Sequence, residues 1–134
     1  MTYAIKAEID DSQAEAFVFA AQKTMYGGKR IAEGDVIFLF ASENEGGQGL
    51  IARGVVTSSE AIAKRPDLET PRVGVSIRRT ALVTKRLGRD ELKRFKDWKD
   101  GLPETELNFK FYRQATNKIV GISDATAAFL EGFF

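Results

Sequence analysis

Gly34-Asp35-Val36-Ile37-Phe38-Leu39-Phe40-Ala41-Ser42 is the stretch that decides the fold. Val, Ile and Phe favour extended backbone, and here they follow one another without alternating with polar residues. A strand of that kind is covered on both faces, so 36–42 reads as a central strand introduced by the Gly34-Asp35 turn. Upstream, Tyr3, Ile5, Ala7 and Ile9 alternate with Ala4, Lys6, Glu8 and Asp10, the period-two pattern of a half-buried strand over 2–9. Downstream, the Gly-rich segment 43–48 turns the chain into a third strand over 49–57. Arg72-Val73-Gly74-Val75-Ser76-Ile77-Arg78 alternates again, and Ala81-Leu82-Val83 offers its continuation. Residues 107–112 and 118–122 are further strand candidates.

Helical signals are sparser. Ser12-Gln13-Ala14-Glu15 has capping-box spacing, and Ala16, Phe17, Ala20, Ala21 and Thr24 follow at helical intervals. These predict a helix from about 13 to 24, ended by Gly27-Gly28. A short helix over 91–98 would turn Leu92, Phe95 and Trp98 inward and stop at Gly101 and Pro103, and Ser123 or Asp124 would cap a last helix ending near Glu131. Residues 58–68, with Pro66 and then Pro71, read as a loop carrying a helical turn. Five to six short strands and about three helices without βαβ alternation predict an α+β fold, a curved mixed sheet or pseudo-barrel, as one domain over 1–134.

The composition excludes whole classes of chemistry. With no Cys and no His, the chain lacks thiol nucleophiles, imidazole bases, Ser-His-Asp triads and nitrogen- or sulfur-ligated metal sites. No metal or cofactor is expected. The apolar runs are too short to cross a bilayer and the N-terminus has no signal-peptide pattern, so the chain reads as cytoplasmic. A net charge of +1 conceals an uneven distribution: residues 1–60 hold 5 basic and 9 acidic side chains, residues 61–134 hold 15 and 10. The excess lies between Lys64 and Lys99, where 12 basic residues meet 5 acidic ones, which suits either a polyanion partner or an ordinary solvated face.

Other motifs have simple structural readings. Gly47-Gln48-Gly49 and Gly54 lead into a strand, unlike a phosphate-binding loop, so they read as left-handed turn positions and a bulge. Asp10, Asp11 and Glu15 read as capping carboxylates in preference to a cation site. Lys23 and Thr24, with Glu8 or Glu33 nearby, would be the one nucleophile arrangement that needs no His. Tyr26, Phe38, Phe40, Trp98, Phe109, Phe111 and Tyr112 lie near basic or polar residues, as in base-stacking surfaces, although several must be core.

The order of these pieces resembles the PUA-like superfamily, and within it the EVE and YTH domains. The resemblance rests on Tyr3-Ala4-Ile5-Lys6, Thr24-Met25-Tyr26-Gly27-Gly28-Lys29-Arg30-Ile31, the Gly34–Ser42 run and Gly49-Leu50-Ile51-Ala52-Arg53-Gly54-Val55-Val56. It closes with Tyr112-Arg113-Gln114 ahead of Lys118-Ile119-Val120-Gly121-Ile122-Ser123, similar to the EVE pattern in which Arg-Gln precedes the last strand. What the resemblance implies is a non-catalytic module whose pocket receives a modified base from RNA or DNA. That pocket would draw on Lys6, Glu8, Met25, Tyr26, Ser42 and Gln114, with Lys29, Arg30 and Arg113 holding flanking phosphates. Tyr26 would stack on the base, while Ser42 and Glu8 would bond its polar edge. The alternatives are an ASCH-type amidohydrolase acting on a modified nucleoside through Lys23 or Thr24, and a structural or protein-binding domain.

Overall fold

The computed structural model describes residues 1–62, 71–113 and 116–134. Six strands close on themselves: β1 (Thr2–Ala7), β2 (Ala16–Met25), β3 (Val36–Ala41), β4 (Gly49–Ala61), β5 (Arg72–Leu82) and β6 (Lys118–Ile122). The order around the barrel is β1-β3-β4-β5-β2-β6. β1 runs parallel to β3, and β2 parallel to β6; the remaining pairs are antiparallel. Helices α1 (Arg89–Leu92), α2 (Pro103–Leu107) and α3 (Asp124–Glu131) lie outside the barrel, and α2 continues as a π-helix over Asn108–Arg113.

The doubly apolar β3 run is explained by two cores. Ile37 and Leu39 point into the barrel with Tyr3, Ile5, Val75, Ile77 and Ile119. Phe38 and Phe40 point outward beneath the helices with Ala4, Leu107, Phe111, Val120 and Leu130. The Phe40 and Phe111 rings, both fully buried, lie 5.1 Å apart and lock the helical layer onto the barrel. Gly54 sits beside a register shift between β4 and β5, where an added Cβ would lie 2.6 Å from the Ile77 side chain. Gly49 adopts φ of 85° as expected, while the other left-handed position of the turn between β3 and β4 falls to Gly46, at 86°, and not to Gly47. Ser123 caps α3 by accepting the Thr126 amide, and the helix ends at Glu131 as its sequence predicts.

Several expectations are corrected. Residues 16–25 form strand β2 where a helix is expected over 13–24. Asp11 closes a local turn by accepting the Gln13 amide, so the polar run before β2 caps no helix. Phe17 and Phe19 then alternate inward while β2 pairs with β5. Residues 107–112 are helical where a strand is expected, because Leu107 and Phe111, four apart, share the buried face and Lys110 reaches back to Glu106. Pro103, expected to stop a helix, opens α2 at its first turn. α1 ends at Leu92, short of 98, and Trp98 is 40% exposed. Residues 58–61, expected to begin a loop, instead continue β4 because they pair with β5, and residues 63–68 of that segment lie outside the described residues.

Candidate functional site

β1 ends at Ala7, beside Ala41 of β3, and the Ser42 amide donates to the Ala7 carbonyl at 2.8 Å. On its other side Lys6 faces Lys118 of β6. Pairing of β2 with β5 sets Lys23 opposite Arg72 at the same end of the barrel. The topology therefore gathers side chains far apart in sequence around one cleft of about 440 Å³. Glu8, Gln22, Lys23, Glu45, Arg72 and Asn117 supply its polar groups, and Ala7, Phe19 and Ala21 its apolar wall.

Beneath this end lie two buried lysines on neighbouring strands. Lys6 is 1% exposed and its Nζ donates to the Phe111 carbonyl at 2.7 Å, 5.3 Å from the Tyr112 ring centre. Burial lowers its pKa, helped by Arg89, while Glu43 and Glu45 act the other way. Lys118 is fully buried and pushed down to about 8 by that burial, with Lys6 and Lys23 adding to the effect. Glu43 accepts the Tyr112 hydroxyl at 2.7 Å and the Arg89 amide at 3.0 Å, so it ties the π-helix and α1 to the segment after β3. Burial, then the bond to Glu43, raises the Tyr112 pKa. The Asn117 amide reaches Glu45 at 3.2 Å across the cleft rim. Carboxylate acceptors, amide groups, cations and one aromatic wall together can receive a flat heterocycle attached to an anionic backbone.

The opposite end of β1 carries a second cluster. Tyr3 pairs with Gly121, whose amide donates to the Tyr26 carbonyl at 3.1 Å. Tyr26 has φ of 52°, the left-handed region that an aromatic residue rarely enters. Its ring meets Phe109 edge-on at 6.2 Å and lies 5.0 Å from the Lys110 ammonium. Trp98 meets Phe109 at 5.3 Å, and the Arg113 guanidinium lies 5.1 Å from the Trp98 ring centre.

The residues expected to share one site are thus divided. Lys6, Glu8 and Ser42 come together at the C-terminal end of β1, with Lys6 and Ser42 buried and Glu8 lining the cleft. Met25 packs against the helical core, and Tyr26 and Arg113 join the aromatic cluster. Lys29 and Arg30 are exposed on the short turn Gly28–Arg30, where Arg30 is close enough to Tyr3 to influence its ionisation. Tyr3 and Ala7 are about 13 Å apart along β1 at the usual strand rise, too far for one base to touch both ends. Gln114 lies outside the described residues. Thr24 is buried with its hydroxyl on the Pro71 carbonyl at 2.8 Å, while Lys23, next along the strand, lines the cleft. The two side chains leave β2 on opposite faces and form no nucleophile–base pair.

Arg72, Gln22, Asn117 and Phe19 are cleft residues that the sequence reading passes over. Only the β2–β5 pairing brings Arg72 to Lys23, and that pairing is hidden once 13–24 is read as a helix.

No protein-family model matches the sequence, and no curated protein matches it. Solved structures do. The DUF55 domain of human thymocyte nuclear protein 1 superposes with a TM-score of 0.65 at 12% identity, covering 98% of this chain and 97% of that one. A Pseudomonas putida protein gives 0.65 at 13% identity, over 99% of each chain. Human THYN1 protein in complex with 5-methylcytosine containing DNA gives 0.65 at 11% identity, over 98% and 95%. These likenesses establish the fold: a closed mixed barrel with, among the described residues, three outer helices, shared with those structures.

Proposed function

We propose that this chain is a nucleic-acid-binding module that takes one base, carrying a modification, into the cleft at the C-terminal end of β1. The observation that carries the reading is the convergence of Glu8, Gln22, Lys23 and Arg72 with the Phe19 wall in one cleft of about 440 Å³. Its size falls in the range that accepts a small planar ligand. Its polar groups match a base edge, and its cations match the attached phosphates. A neighbour of the same fold is described in complex with 5-methylcytosine containing DNA, which supports the choice of ligand class.

In this reading Glu8 accepts from an exocyclic amine or ring N–H, Gln22 and Asn117 complete the edge, and Phe19 offers an apolar face. Lys23 and Arg72 hold phosphates at the mouth, while Lys6 and Lys118 set a positive potential from below. Ser42 acts through the backbone, fixing the end of β1 where Glu8 emerges. Lys29 and Arg30, exposed away from the cleft, serve nucleotides farther along the strand. No step of bond cleavage is required of any of these groups.

The test is fluorescence anisotropy with DNA and RNA oligonucleotides, with and without a single 5-methylcytosine or N6-methyladenine, across a salt series. The expected result is salt-dependent binding with preference for one modified oligonucleotide, and loss of that preference in Glu8→Ala. Absence of binding at low salt across the whole panel would overturn the reading.

A further inference from the structure

The cluster at the other end of β1 is left unused by the cleft. Tyr26 and Trp98 are 38% and 40% exposed, Phe109 lies between them, and with Leu102 and Gly101 the Trp98–Phe109 pair lines an open hollow of about 380 Å³. Its floor is fixed. Glu106 accepts from Ser123 Oγ and Thr126 Oγ1 at 2.6 Å each and from Lys110 Nζ at 2.8 Å. Those bonds hold its carboxyl below the ordinary range despite burial, which acts the other way. A saturated carboxylate offers little to an incoming cation. The remaining features are flat apolar rings with the exposed Arg113 guanidinium over Trp98 and Phe109; Lys110 beside Tyr26 is paired with Glu106, and the exposed Lys96 and Lys99 alternate with Asp97 and Asp100 around Trp98.

We infer that Tyr26, Phe109 and Trp98 form a stacking shelf for a nucleotide of a single strand whose modified base occupies the cleft. Charge complementarity selects this occupant, because aromatic rings carrying the exposed Arg113 guanidinium suit a ligand that is both flat and anionic. Tyr26 adds an independent sign. An aromatic side chain held at positive φ costs backbone energy that a Gly at the same turn would avoid, and such strain is kept where the ring position matters. The spacing also fits. Arg113 of the shelf and Thr116 of the cleft are three residues apart, so their Cα atoms lie within about 11 Å of each other. A short length of strand bridges that distance. The inference rests on the cleft reading for its ligand class and adds a second contact.

Trp98 is the only Trp of the chain, so its emission reports the shelf directly. The experiment titrates single-stranded oligonucleotides carrying the preferred modified base into the full chain, Trp98→Ala, Trp98→Phe and the cleft variant Lys23→Glu. The expected result is saturable quenching of Trp98, a loss of affinity of roughly tenfold in Trp98→Ala and near-complete retention in Trp98→Phe, which keeps a ring. In Lys23→Glu, binding weakens while quenching at saturation persists. Oligonucleotide binding with unchanged Trp98 emission and undiminished affinity in Trp98→Ala would overturn the shelf and leave the cleft reading intact. Loss of binding in Trp98→Ala, with Lys23→Glu and Glu8→Ala unaffected, would keep the shelf and sink the cleft. Binding only to a modified duplex, or quenching by anionic phospholipid vesicles or polyglutamate in place of oligonucleotides, would also overturn the shelf.

Discussion

The two ends of β1 belong to the same strand and finish in opposite kinds of surface. At Ala7 the chain turns over buried cations into a polar cleft; at Tyr3 it lies beside an open aromatic cluster with cations at its rim. The difference comes from what each strand end is packed against. The cleft is assembled by pairing between strands distant in sequence, β1 with β6 and β2 with β5, and completed by Glu8, Glu45, Thr116 and Asn117 at the strand ends. The shelf is carried by the segment from Trp98 through the π-helix, held to the barrel by Phe111 and to α3 by Glu106. A cleft built on strand ends suits selection of one base, and a helix-borne aromatic face suits contacts that tolerate sequence.

The strongest way to break the comparison is to remove what both regions share. Phe111→Ala should cost about 3–5 kcal/mol, because a fully buried ring stacked on Phe40 is replaced by a cavity. Chemical denaturation checks it; a loss under about 1 kcal/mol would mean that the helical layer is not anchored there. Glu106→Gln should affect the shelf alone and cost about 1.5–3 kcal/mol, since charge-assisted bonds to Lys110, Ser123 and Thr126 are weakened. The Glu106 pKa is lowered on folding, so its contribution is present above the ordinary value of 4.5 and is lost as pH falls through the folded value. Glu106→Gln should therefore lose stability less steeply than the parent in acid.

Lys23→Glu acts on the cleft alone. It should weaken oligonucleotide binding about tenfold, or ~1.4 kcal/mol, and reduce the salt slope, with little change in the unfolding midpoint. The smallest effect is a pH dependence. Lys118 titrates near 8 when folded, against an ordinary 10.5, so between these values the unfolded chain holds a proton that the folded chain has released. Stability should rise with pH across that window and turn down above about 10, where burial keeps Tyr3 and Tyr112 protonated only in the folded state. Lys118→Met should flatten the rise. Thermal melts from pH 7 to 11 measure both, and an unchanged rise in the variant would remove Lys118 as its source.

The barrel was legible wherever one strand carried its own pattern. β1 and β5 alternate, β3 is apolar throughout, and β6 is short and flanked by clear punctuation. β2 is not, because Phe17, Ala20, Ala21 and Thr24 fit a helical period as well as the actual one, and only the pairing with β5 decides between them. The π-helix failed for the converse reason: Leu107, Phe109 and Phe111 alternate, yet Leu107 and Phe111 bury together while Phe109 faces the open hollow. For the site, Lys6, Glu8 and Ser42 were named from motif order and do lie at one end of β1. Tyr26, Arg30 and Arg113 were placed with them because sequence order gives no distance along a barrel. Nothing in the local sequence marks Lys6 and Lys118 as buried; that follows from strand parity and from the helices laid over their face.

The central claim is that the cleft beside Glu8 receives the base. Its most direct test is a backbone amide chemical-shift titration of the chain with the preferred modified oligonucleotide. The largest shifts should fall on Ala7, Glu8, Phe19, Lys23, Arg72 and Asn117, with a smaller set around Trp98. Shifts gathered instead on Ser12, Gln13 and the 84–86 segment, which line a different groove, with residues 7–8 and 72 unmoved, would contradict it.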